Sequence, residues 1–144
     1  MPNGTKFHKK IHENSFVYKK DISLHAHFVF MLTDLKYLQQ MTGDDSQIIK
    51  EMVELFLNQL AEMREEIDSL VNDQKWFELS RLAHKIKSSA LVMGVEQMAD
   101  DMKELELLAK DGKHTEKYPD YVARFKTMID LAEMELRPFL ESCQ

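Results

Sequence analysis

Residues 44–71 read DDSQIIKEMVELFLNQLAEMREEIDSLV, and the spacing of their apolar side chains decides the fold. Ile49, Met52, Val53, Phe56, Leu60, Met63, Ile67 and Leu70 recur every three or four residues, the period of one face of an α-helix. Asp44 or Asp45 begins this helix, with Gln47 placed to close a capping box on Asp44. Leu55 and Leu57 lie beside the main stripe and read either as docking surface or as core. A long helix with one apolar face needs neighbours to cover it, and the flanking sequence supplies them.

Toward the C-terminus, Asn72-Asp73-Gln74 interrupts the pattern, and Asp73 is placed to cap a helix striped by Trp76, Leu79, Leu82, Ala83, Ile86 and Ala90 that ends at Gly94. A further helix turns Met98, Met102, Leu105 and Ala109 inward, with Asp100, Asp101, Lys103, Glu104 and Glu106 on its flanks, until Lys110-Asp111-Gly112 breaks it. Pro119 suits the first turn of the last helix, which carries Val122, Phe125, Met128, Ile129, Ala132 and Leu136 to a stop near Pro138. Toward the N-terminus, Thr33 caps a short helix bearing Leu35, Leu38 and Met41 that stops at Gly43. Four substantial helices on short connections pack most simply against their sequence neighbours. The expected fold is all-α, an antiparallel up-down-up-down four-helix bundle with a short additional N-terminal helix, over residues 31–144.

Residues 1–30 lack this period. Ile22, Leu24, Ala26, Phe28 and Phe30 alternate as a short strand would, and the segment reads as an N-terminal extension, weakly structured or tag-like, with Met31 a candidate natural start. Only four glycines and three prolines occur in 144 residues that are 44% hydrophobic, a composition suited to long helices around one core. The first thirty residues hold five lysines against one Asp and one Glu; since the whole chain carries −6, residues 31–144 carry −9. An acidic body repels nucleic acid and anionic membrane surfaces, which leaves proteins as the expected partners. The single cysteine, Cys143, has no internal partner, and the apolar run from Ala26 to Leu32 is too short to span a bilayer; a cytoplasmic protein is expected.

The chemistry concentrates in residues 82–94, LAHKIKSSALVMG. At roughly 100° per residue, His84 points about 200° away from both Leu82 and Ile86, so its imidazole faces solvent while they face the core. Lys87 and Ser88, three and four residues on, share its face. Neutral imidazole is a nucleophile that forms covalent intermediates, and phosphoryl transfer asks mainly for in-line positioning and neutralised charge, which Lys87 can supply. Phe77 and Leu91 form an apolar rim to either side. The chain shows no Gly-rich loop, Walker motif or Mg²⁺-binding carboxylate cluster, so it is expected neither to bind ATP nor to phosphorylate itself.

Ala83-His84-x-x-Lys87-Ser88-Ser89, followed by Met93-Gly94, resembles the signature of histidine-containing phosphotransfer domains, and the likeness extends from about residue 33 to 140. It implies a phosphorelay carrier in which His84 exchanges a phosphoryl group with receiver-domain aspartates or takes it from a hybrid sensor histidine kinase. It also implies that Glu106, on the next helix, orients the imidazole and leaves Nε2 free to attack. The same residue reads equally as a solvated charge on an acidic flank. Docking is expected through a patch comprising Phe77, Leu91, Met93 and Gly94. No cofactor is expected on this chain, because Mg²⁺ belongs to the receiver's acidic pocket. Two departures stand out: Ser88 where glycine is commonest, able to hydrogen-bond or to crowd phosphoryl oxygens, and Val95 where alanine is common.

Ser88 supports a competing reading, a docking module that binds a receiver or kinase without taking phosphate. A third reading gives a metal to His8, His12, His25 and His27, but no cysteine or well-placed carboxylate completes that set, and no metal site is expected. The core-facing methionines, Met52, Met63, Met98, Met102 and Met128, read as packing and not as copper or haem ligands.

Overall fold

A computed structural model describes residues 32–142; the N-terminal segment, with its alternating stretch and four histidines, lies outside, as does Cys143. The described residues are helical in the order α1 (Lys36–Thr42), α2 (Ser46–Asn72), α3 (Trp76–Val92), α4 (Glu96–Lys110), a 3₁₀ turn (Thr115–Lys117) and α5 (Tyr118–Ser142). Among the long helices, α3 packs against α2 and α4, and α5 closes the ring by packing against both α4 and α2. The expected apolar stripes meet in one core that includes Val53, Leu60, Ile67, Ile86, Met102 and Phe125. Burying each such side chain contributes about 1.5–3 kcal/mol. Met63, Met98, Met102 and Met128 all lie in it, and Leu57 proves to be core while Leu55 is exposed.

The helix ends follow local chemistry more than the simplest capping rules. Asp45 caps α2 by accepting from the backbone N–H of Gln47 and Ile48 at 3.0 and 3.1 Å. The reciprocal arm expected from Gln47 is missing, since its amide donates forward to Glu51 at 2.9 Å and Asp44 turns away with φ +61°. Thr33 does not cap α1. Its hydroxyl and backbone N–H, together with the N–H of Leu32, donate to the Glu135 carboxylate on α5, and Asp34 instead accepts from the N–H of Lys36. Met41 is exposed, so only Leu38 of that short helix is fully buried. Asp73 terminates α2 instead of starting α3: backbone bonds from Asp73 and Lys75 to the carbonyls of Ser69 and Leu70 close the turn, and Lys75 precedes α3 with no side-chain cap.

Two further expectations are corrected. The last helix runs through Pro138 to Ser142, with buried Leu136 and half-buried Phe139 and Leu140 packed on the core, so tertiary contact outweighs the donor that proline lacks. Asp101 is not a solvated flank residue: it is 5% exposed and held by Arg124 Nε at 2.8 Å and Gln97 Nε2 at 3.1 Å. Val95 is fully buried beneath the α3–α4 turn, where a larger side chain than alanine fills the core. No helix among the described residues is long and apolar enough to cross a membrane.

Candidate functional site

The α3 pattern buries Leu82, Ala83 and Ile86 and turns the side chain of His84 outward, 59% exposed. Beside it runs α4, the neighbour against which α3 packs most closely, and α4 carries Glu106 to the imidazole. The carboxylate bridges two residues of α3: Oε1 lies 2.8 Å from His84 Nδ1, and Oε2 accepts from Lys87 Nζ at 2.7 Å. Hydrogen bonding by Lys87, reinforced by His84, holds the Glu106 carboxyl below the usual carboxylate range despite partial burial, so it is ionised at neutral pH. An ionised carboxylate only accepts, so the proton in this contact belongs to His84 Nδ1. The remaining ring nitrogen, Nε2, is then the one with a free lone pair.

The structure therefore brings His84, Lys87 and Glu106 together and makes Glu106 their common partner. Lys87, read from the sequence as a source of phosphoryl charge neutralisation, has its ammonium held by Glu106. Ser88 neither crowds nor contacts the ring, because its hydroxyl donates to the backbone carbonyl of His84 at 3.1 Å. Phe77 and Leu91 stand exposed at 63% and 57% on the same side of α3, in keeping with an apolar rim.

Met93 does not join that rim, whereas Gly94 is half-buried. Met93 is 3% exposed and turned into the core, which removes it from any docking surface. Gly94 serves the fold: it adopts φ +65°, and a Cβ there would run into the backbone of Asp34, whose N–H donates to the Met93 carbonyl at 3.1 Å. The hollow beside the ring was not anticipated from the sequence. Ser80, Arg81, Leu82, His84, Lys85 and Glu106 line it, with Glu66 of α2 and Glu78. The helical i, i+3 relation of Arg81 to His84 was the available signal. No group of three His, Cys, Asp or Glu side chains among the described residues is arranged to hold a metal ion.

The family model described as Hpt domain matches residues 51–135, more than half of the chain and all of this constellation. No curated protein and no solved structure matches the chain significantly.

Proposed function

The chain belongs to the Hpt domain family, and from that premise we propose that it is a histidine phosphotransfer protein of a two-component phosphorelay, with His84 as the phosphoacceptor. Hpt domains are phosphocarriers that meet receiver domains and kinases. The observation that carries the assignment to His84 is its exposed ring with Nδ1 engaged by Glu106 and Nε2 unengaged.

In the proposed reaction, the Nε2 lone pair attacks the phosphorus of a receiver aspartyl phosphate. The N–P bond forms as the P–O bond to the receiver carboxylate breaks, and that carboxylate leaves with the electron pair. The Nδ1 proton stays on the ring, which becomes cationic, and Glu106 offsets the new charge. Return to a second receiver reverses the step. Lys87 contributes by keeping Glu106 ionised and in place. Mg²⁺ sits on the receiver, Phe77 and Leu91 form the apolar part of the docking face, and the cytoplasm is the compartment. An antiparallel up-down-up-down course for the long helices is supported by cross-helix pairs, Arg64 with Asp130 and Asp68 with Lys126, whose numbers rise on α2 as they fall on α5.

The docking module that takes no phosphate rested on Ser88, and the bond from Ser88 to the His84 carbonyl speaks against obstruction of the ring. To separate the two, the protein and His84→Gln are incubated with phosphorylated receiver domains, and acid-labile label is followed by mass spectrometry at neutral pH. Label on wild type alone supports the carrier. Receiver binding without label on either protein supports the module, and label on both would mean that another residue is the acceptor.

A further inference from the structure

The open side of His84 is not the side on which its lysine lies. Lys87 is bound to Glu106, the residue that engages Nδ1, and Ser88 has turned its hydroxyl to the helix backbone. The hollow beside the imidazole opens toward the N-terminal half of α3, and its wall contains Arg81 and Lys85 but neither Lys87 nor Ser88. Arg81 is exposed and forms no ion pair among the described residues. Three residues ahead of His84 on one helix face, its Cβ lies about 5–6 Å from that of the histidine. Helical side chains tilt toward the N-terminus, so the His84 ring leans over the turn that carries Arg81.

Resting on the reading of His84 as phosphoacceptor, we propose that Arg81, not Lys87, is the cation that contacts the phosphoryl group as the N–P bond forms at Nε2. A guanidinium offers a planar fork of donors that matches two phosphoryl oxygens, and an unpaired one need not abandon a carboxylate to do so. Glu66 and Glu78 border the same hollow, so its field is mixed and the stabilisation must come from direct contact. Lys85, the adjacent residue, points about 100° away around the helix and adds charge without sharing the histidine's face. During transfer the phosphoryl oxygens keep their two negative charges, the ring keeps its Nδ1 proton, and Arg81 loses no proton.

The test uses the full chain, Arg81→Gln, Arg81→Lys and Lys87→Gln, each checked for helical circular dichroism. Each is loaded with phosphoramidate and, separately, with a receiver domain phosphorylated by acetyl phosphate. Arg81→Gln is expected to slow loading from both donors about tenfold, short of the roughly hundredfold lost with a buried oxyanion donor. Arg81→Lys should recover part of the rate, and Lys87→Gln should lose less than Arg81→Gln. In ³¹P NMR the protonation midpoint of the phosphoryl group on His84 should move to higher pH in Arg81→Gln and stay in place in Lys87→Gln, because a neighbouring cation favours the dianion. Loading of Arg81→Gln at the wild-type rate with an unmoved midpoint, or a larger loss in Lys87→Gln, overturns the assignment of Arg81. Failure of folded wild type to take label from either donor would instead overturn the reading of His84 and this inference with it.

Discussion

Glu106 makes the difference between an exposed histidine and an oriented one. Glu106→Ala removes the acceptor at Nδ1 and releases Lys87, and transfer from a phosphorylated receiver should slow about tenfold, the lower range for loss of a carboxylate that orients a functional imidazole. The rate measured by rapid-quench labelling checks this, with far-UV circular dichroism as the control for folding. The lowered Glu106 pKa also fixes the sign of a pH effect. Its stabilising contribution is fully present above the ordinary carboxylate range and is lost as pH falls through the depressed native value. A carboxyl ¹³C titration should therefore show Glu106 protonating below an ordinary glutamate, and a midpoint at or above that range would contradict the bridge. At this scale His84, Lys87 and Ser88 were legible because fixed offsets on one helix determine which residues share a face. The actual partners of Lys87 and Ser88 were not, since one is set by a residue on α4 and the other by competition from the helix's own backbone.

Turns between elements show where sequence rules stop. Gly43 and Gly94 both adopt left-handed backbone, φ +62° and +65°, yet only Gly94 abuts another part of the chain. Gly43→Ala should cost about 1–2 kcal/mol, the ordinary penalty for a Cβ in that region. Gly94→Ala should cost more, because the same penalty is joined by displacement of Asp34 and of its bond to the Met93 carbonyl. Urea unfolding of the two variants measures the difference, and equal losses would argue against the close approach. The helices themselves were readable from period alone, as α2 and α5 illustrate. Their ends were less so: Thr33 was claimed by Glu135 on α5, Asp73 by the closing turn of α2, and the stop at Pro138 by core contacts beyond it. In each case a partner distant in sequence, or a neighbouring backbone group, outweighed the local preference.

The whole molecule pairs an acidic body with a helix of opposite sign. Residues 31–144 carry −9, yet α3 holds Arg81, Lys85 and Lys87 against the single carboxylate of Glu78. A receiver presents acidic groups around its phosphorylated aspartate, so the proposed docking face attracts a partner that the remaining surface repels. The association rate with a receiver should fall as salt rises from about 0.05 to 0.5 M, because exposed charges are screened over distances of a few ångströms at the higher value. Stopped-flow association of wild type and Lys85→Glu measures this, with a flatter salt dependence expected for the variant and an unchanged slope contradicting the steering role. Net charge was readable from composition, but the gathering of Arg81 and Lys85 beside His84 became meaningful only once the structure placed a hollow there. Likewise the outward face of His84 was legible in the sequence while Arg81 went unnoticed, because the open side of the ring depends on where Glu106 draws Lys87.

Whether Glu106 holds Nδ1 and thereby directs phosphate to Nε2 of His84 is read by long-range ¹H–¹⁵N and ³¹P NMR of the ¹⁵N-histidine-labelled protein before and after phosphorylation. An Nδ1–H tautomer is expected in the free protein and, after loading, phosphorus coupled to Nε2 of His84. Phosphorus on Nδ1, or on any other residue, would contradict this expectation.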